Sequence, residues 1–513
     1  MRSAPGLLVV AFFLLCESTG WAQTKTRIEI LNSDVIRFDE AIAKADRLIG
    51  NVRLGYKQAI MYCDSAYRYP NGDFEAFSKV RIVQGDSLRL FGDRLYLTNA
   101  DKKAKLRDNI RLTDKDRILT TEILDYDLET GVASYFDGGK IVSTQNDNVL
   151  TSREGYYDSE SEFFHFRKEV LLKNPDYEVR SDTLKYSAPS ETAFFFGPTT
   201  ILTDDTEIDC RRGWYNTITE VCQFTRHARI RSRSTYLEGD SIYFEGKRGF
   251  GEVFQNVAIR DTTSNYLITG DYGWHDDQLG ESLVTDRAEM VQFFGEDSLF
   301  LHADTLRALP DSGNYRRIRA FQRVKFYKND LQGKADSLTY AERDSTLRLF
   351  GDPVLWSADN QISGDQVDIR LFSGVIDRMD IYGNAFIISE AAPESYNQIK
   401  GRNLTGYFSN NELRKIHVKG NGQTVYYPVE EGEDGNTAVG VNRADCSNVM
   451  IYVKDNDIQR VALIDKPSGG LHPLFKASEN DKLLDGFFWE TENRPRSRDD
   501  IFNWTPTDQA VVD

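Results

Sequence analysis

Apolar and polar residues alternate one by one in short runs along most of the chain. Lys79-Val80-Arg81-Ile82, Asn109-Ile110-Arg111-Leu112, Glu169-Val170-Leu171-Leu172, Asn256-Val257-Ala258-Ile259 and Arg323-Val324-Lys325-Phe326 carry the pattern. Successive side chains of a strand point to opposite faces, so this period of two predicts strands with one buried face. Abundant Val, Ile, Tyr and Phe with sparse Pro agree. Between the runs stand Pro70-Asn71-Gly72-Asp73, Asp311-Ser312-Gly313-Asn314 and Ser409-Asn410-Asn411, residue types that favour the tight reversals of hairpins. Helical spacing is visible only from Asp39 to Leu48.

A second pattern overlies the first. Asp, any residue, then an aliphatic residue recurs, often with Gly or Ala before the Asp: Asp34-Val35-Ile36, Gly92-Asp93-Arg94-Leu95, Asp182-Thr183-Leu184, Gly239-Asp240-Ser241-Ile242, Ala303-Asp304-Thr305-Leu306, Ala335-Asp336-Ser337-Leu338 and Gly364-Asp365-Gln366-Val367. Degenerate copies lie near Asp64, Glu122, Glu154, Arg211, Asp271, Asn403 and Asp445. Most steps are about 30 residues, which gives about fourteen two-strand units over 30–464. The prediction is an all-β protein whose antiparallel repeats, in a domain spanning 23–464, stack so that each contacts mainly its neighbours. Residues 465–513, where the pattern stops, are predicted to form an extended or weakly ordered tail.

The N-terminus changes the compartment. Met1-Arg2, an apolar run from Leu7 to Leu15, and Gly20-Trp21-Ala22 read as a signal peptide of residues 1–22 cleaved after Ala22. Cys16 follows Leu15 rather than a small residue, which argues against lipid attachment there. The chain carries 63 Lys and Arg against 80 Asp and Glu, a formal charge of −17 that argues against nucleic acid as a partner. Cys63, Cys210, Cys222 and Cys446 are too few to staple a chain of this size. Cys210 and Cys222 flank Asn216 symmetrically, so a hairpin turning there could bring them opposite each other, as a disulfide or as two free thiols.

Candidate chemistry is thin. Gly85-Asp86-Ser87-Leu88 matches an esterase tetrapeptide, but no His has an Asp three residues before it, and Gly239-Asp240-Ser241-Ile242 repeats nearly the same residues in a strand context. His165, His227, His275, His302, His417 and His472 are scattered without zinc spacing, and Glu430-Glu431-Gly432-Glu433-Asp434 lacks a calcium-loop pattern. The expectation is no enzyme, no metal and no cofactor. Arg229, Arg231 and Arg233 share one strand face, read as solvated.

The leader, the Gly50-Asn51-Val52-Arg53-Leu54 strand, Ala335-Asp336-Ser337-Leu338-Thr339-Tyr340 and Asp182-Thr183-Leu184-Lys185-Tyr186 together resemble the OstA-like family of lipopolysaccharide-transport bridge proteins. The resemblance implies an elongated, folded-over antiparallel β-jellyroll in the periplasm. Its apolar trough would shield lipopolysaccharide acyl chains in transit to the outer membrane. It also implies end-to-end strand pairing with other transport components and a peripheral position at the inner or outer membrane. This chain has more units than the family's compact member and lacks the barrel of its larger one. If register is kept, Val80, Ile82, Ile110, Leu112, Val170, Leu172, Ile230, Val257, Ile259, Val324 and Phe326 share the inward face and are the lipid-groove candidates. The competing expectations are an exported polysaccharide-binding β-repeat protein, or an adhesin or scaffold with a closed core.

Overall fold

The computed structural model describes residues 28–505, apart from 41–43, 57–58, 87, 146, 159, 233–234, 262–265, 295–296, 314, 373–374, 410–411, 433–434 and 455–456. The expected leader and its cleavage site lie outside the described residues, as does Ser87. Nearly all regular structure is antiparallel strand, and the chain divides into two units, Met1–Ser161 and Glu162–Asp513.

In the first unit, strands such as Ala45–Tyr56, Ala59–Arg68, Phe74–Gln84, Leu88–Thr98, Lys103–Asp114 and Arg117–Asp127 pair in chain order. Alternate strands are bent at mid-length by two consecutive left-handed residues. These are Gly50-Asn51 at φ +77° and +45°, Ser78-Lys79 at +64° and +50°, and Asp108-Asn109 at +65° and +50°. Each non-Gly residue held there costs roughly 1–2 kcal/mol, and the ladder skips register at each pair.

The recurrent Asp offsets that cost from the neighbouring strand. Asn51 Nδ2 donates to Asp34 at 2.9 Å, Ser78 Oγ to Asp64 at 2.7 Å and Asn109 Nδ2 to Asp93 at 2.6 Å. The bend turns one sheet into two facing walls. Arms 74–77, 94–98 and 103–107 lie in one, and 80–84, 88–92 and 110–114 in the other. Between them sits an apolar cluster that includes Leu54, Ile82, Leu90, Leu95, Leu106 and Leu124.

The second unit repeats the device. Lys168-Glu169, Arg226-His227, Gln255-Asn256 and Gln322-Arg323 are the left-handed pairs. Asp240 accepts from Asn256 Nδ2 at 3.0 Å, Asp365 from Asn384 Nδ2 at 3.0 Å, and Asp304 from Arg323 Nε at 2.8 Å. The small residue before the Asp has a steric cause. A Cβ at Gly239 would stand 2.3 Å from Val253 Cγ1, and one at Gly364 would stand 2.4 Å from Ile381 Cγ2.

Two expectations are corrected and one open alternative is decided. The described residues of the stretch from Asp39 to Leu48 are not helical: strand Val35–Asp39 ends there and strand Ala45–Tyr56 begins. Pairing with neighbouring strands overrides its weak helical spacing. Cys210 and Cys222 are free thiols. Their hairpin pairs Tyr215 with Cys222, so it turns nearer residue 218 than Asn216 and the two cysteines are out of register. Burial pushes both thiols up to about 12.

The segment beyond 464 has little regular structure, but it is firmly packed. It runs over the outer face of one wall of its own unit. Leu484 N donates to Gln398 Oε1 at 2.8 Å, and Glu490 N donates to Gln361 Oε1 at 2.8 Å. Trp356 Nε1 reaches Glu490 O at 3.0 Å, and Arg498 grips Glu289 with two bonds of 2.7 Å. Leu484 joins Phe386, Ile388, Val425, Tyr427 and Val441 in a second apolar cluster on that outer face. The wall under this strap is therefore buried on both sides, and consecutive runs such as Val354-Leu355-Trp356 and Ala385-Phe386-Ile387-Ile388 are buried throughout.

Candidate functional site

The space between the walls is the candidate site. In the first unit Val80, Ile82, Ile110 and Leu112 all point inward and are buried. In the second unit Val170, Ile230, Val257, Ile259, Val324 and Phe326 do the same, while Leu172 is half-buried nearer the rim. The alternation thus places the candidates of each unit on its inner face. It did not single out the opposite wall, where Leu95, Leu106, Leu124, Leu184, Ile242, Leu306 and Leu338 are buried. The signal was present, because several of these are the aliphatic member of the Asp-x-aliphatic element.

Two small cavities lie between the walls among the described residues. In the first unit a cavity of about 20 Å³ lies between Leu54, Met61 and Ile82 on one side and Leu95, Leu97 and Ala104 on the other. In the second, a cavity of about 50 Å³ is lined by Met290, Leu301 and Phe326 facing Leu338, Leu347 and Ile369. Such volumes admit a few water-sized groups, not an acyl chain.

Bridges cross the mouth between the free rims in the first unit. Tyr126, itself buried, donates its hydroxyl to Gln84 Oε1 at 2.9 Å, and Tyr157 donates to Asp114 at 2.8 Å. Lys102 Nζ stands 5.6 Å from the centre of the Tyr56 ring. In the second unit Lys328 lies at the rim of the 50 Å³ cavity and pairs with Asp297 at 2.7 Å and Asp330 at 2.6 Å. Burial pulls its pKa down, but those carboxylates outweigh it and hold the ammonium above its ordinary value.

Elsewhere polar groups serve the scaffold. His275 contacts Ser282 Oγ at 2.7 Å and Asp277 at 2.9 Å, the residue types of a hydrolytic triad. Ser282 is buried inside strand Glu281–Thr285, however, and Asp277 stands in a solvent-facing turn, so the ring ties a hairpin. Among the described residues no three His, Cys, Asp or Glu side chains converge on a metal position. Arg229 and Arg231 face solvent and pair with Glu238 at 3.1 Å and Glu207 at 3.0 Å, while Arg233 lies outside the described residues.

Two facing β-walls over an apolar interior define each unit as an antiparallel β-fold of folded-over strands. Residues 25–182 match the family model described as OstA-like protein, and residues 284–375 match that of the LptA/(LptD N-terminal domain) LPS transport protein. Over these two segments the chain is similar to the OstA-like family of lipopolysaccharide-transport proteins. Among solved structures it is similar to LptH of Pseudomonas aeruginosa, the LptA-homologous periplasmic component of the lipopolysaccharide transport device. The identity is 11%, over 28% of this chain and 99% of that one, with a TM-score of 0.22. No curated protein matches the chain.

Proposed function

We propose that the chain is a non-enzymatic periplasmic conduit that shields lipopolysaccharide acyl chains between its walls on the way to the outer membrane. The observation that carries this reading is the predominantly apolar inner lining of each unit, interrupted by hydroxyls such as Thr121 and Ser181, made by a sequence with OstA-like matches in both. Each methylene exposed to water costs about 0.8 kcal/mol, so a twelve-carbon chain costs roughly 10 kcal/mol unless covered. With cavities this small, lipid enters by parting the walls, with the rim bridges as the contacts that yield first. The lipid's charged head group stays in solvent at that rim.

The test places a photo-crosslinking residue at Ile110, Val170 and Val257, with Arg231 as the surface control, and asks which positions capture lipopolysaccharide in cells. Capture at the three inward positions and not at Arg231 is the expected result. No capture above the control would favour the second reading, a closed-core scaffold, which the small cavities support.

A further inference from the structure

The outer face of one wall in the first unit has a charge pattern that the conduit reading leaves unused. Neighbouring strands place Arg53, Tyr62, Arg81, Phe91, Arg111, Thr120 and Lys140 in one cross-strand row. The parallel row beside it holds Ile60, Val83, Arg89, Thr113, Ile118 and Val142. From Ile60 to Val142 and from Arg53 to Lys140 the rows hold no carboxylate, in a chain whose acids outnumber its bases by 80 to 63; the second row ends, through Gly55, on Glu29 of the first strand. Acids stand at the margins, Glu29 on the first strand, Asp64, Asp93 and Glu122 along the crease, and Asp86, Asp114 and Asp116 at the turns.

Arg53, Arg81, Arg89, Arg111 and Lys140 are exposed, and none of the five has an acidic partner among the described residues. Arg81 lies instead over the Tyr62 ring, 4.3 Å from its centre. The corresponding wall of the second unit is built the other way. There Arg180 pairs with Glu178 at 2.6 Å, Arg229 with Glu238 at 3.1 Å and Arg231 with Glu207 at 3.0 Å. Unpaired cations are thus a property of this face, not of the fold.

We infer that this face docks on an anionic phospholipid bilayer. Arg53, Arg81, Arg111 and Lys140 stand two strands apart in turn, a row with a spacing of about 10 Å. Such spacing suits an extended surface of phosphates better than one bound anion. Ile60 and Phe91, both exposed, stand between the cations, as do Tyr62 and Val83. Apolar and aromatic side chains among long cationic stems match the boundary between head groups and acyl chains. An acidic protein surface would need the cations but not this apolar filling. The inference does not depend on the conduit reading, because it concerns the opposite face of the wall.

The test is flotation of the full mature chain with vesicles containing about one third phosphatidylglycerol in phosphatidylcholine, and with pure phosphatidylcholine vesicles. The chain should bind the first and not the second, and salt should weaken the binding. Each charge removed should lower partition about fivefold, so R81Q/R111Q should lose about 25-fold. R229Q/R231Q, which removes two paired cations elsewhere, should bind as the wild type does. I60S/F91S should weaken vesicle binding while leaving polyglutamate binding unchanged. Melting temperatures of all variants confirm folding. Equal binding to neutral vesicles, equal loss in R229Q/R231Q, or no vesicle binding at all would overturn the inference. Retention of polyglutamate alone would assign the face to an acidic protein.

Discussion

The recurrent Asp does its work on the neighbouring strand. Asp240 caps the left-handed pair Gln255-Asn256, and Asp365 caps Gly383-Asn384. Removing such a cap leaves the bend intact but less well held, so Asp240→Ala should cost about 0.5–1.5 kcal/mol in denaturant unfolding. The residue before the Asp is under a tighter constraint. Gly364→Ala would drive a Cβ into Ile381 and within 3.1 Å of the Gly383 carbonyl oxygen. It should cost about 1–3 kcal/mol, and a melting curve unchanged from wild type would show that the crease has slack. The element was legible in the sequence as a recurrence. Its role was not, because the partner lies one strand away and only pairing register brings the two together.

At the scale of elements, the strap shows where reading the pattern failed. A tail dense in charge from Glu490 to Asp500 looks solvated when read alone. Yet Arg498 closes on Glu289, which is only 5% exposed. Arg498 is half in solvent, so Arg498→Ala should cost about 1–3 kcal/mol, mainly through the carboxylate left buried. A fall in melting temperature without loss of strand content is the expected readout.

The strap's end should also respond to acid. Burial pulls the His302 pKa below its ordinary value of about 6.5, outweighing the Ala288 carbonyl that accepts from its Nδ1, and the ring packs on Phe502 at 4.7 Å. The unfolded chain therefore takes up the proton first. Stability from this contact is present at neutral pH and is lost as pH falls below about 6.5 toward the folded value. Amide exchange across 498–504 should quicken over that window in the wild type and lose this dependence in His302→Gln. The runs Val354-Leu355-Trp356 and Ala385-Phe386-Ile387-Ile388 were the available clue to the strap, since a strand that breaks alternation is covered on both faces.

At the scale of the whole molecule, each unit has terminal strands whose outward edge lacks a partner among the described residues. Val35–Asp39 pairs only with Ala45–Tyr56 and exposes Ile36 and Phe38. Asp457–Ile464 pairs only with Gly440–Lys454 and exposes Val461. Unpaired edges invite strand addition, and we propose that they are the sites of the end-to-end pairing that the OstA-like resemblance implies. Ile36→Pro and Val461→Pro should each abolish association with a strand-adding partner in sedimentation, with little change in melting temperature. Association that survives both changes would remove the edges from consideration.

The all-β class, the inward-facing positions of both units and the OstA-like resemblance were determined by the sequence, because a period of two and a recurring anchor are local properties of the chain. Tertiary structure decided the bends, the small cavities between the walls, the free state of Cys210 and Cys222, the docking of the strap and the cation-rich outer face. Each depends on which residue of one strand stands beside which residue of the next. Cross-strand register is a property of packing, and a single strand's alternation is silent about it.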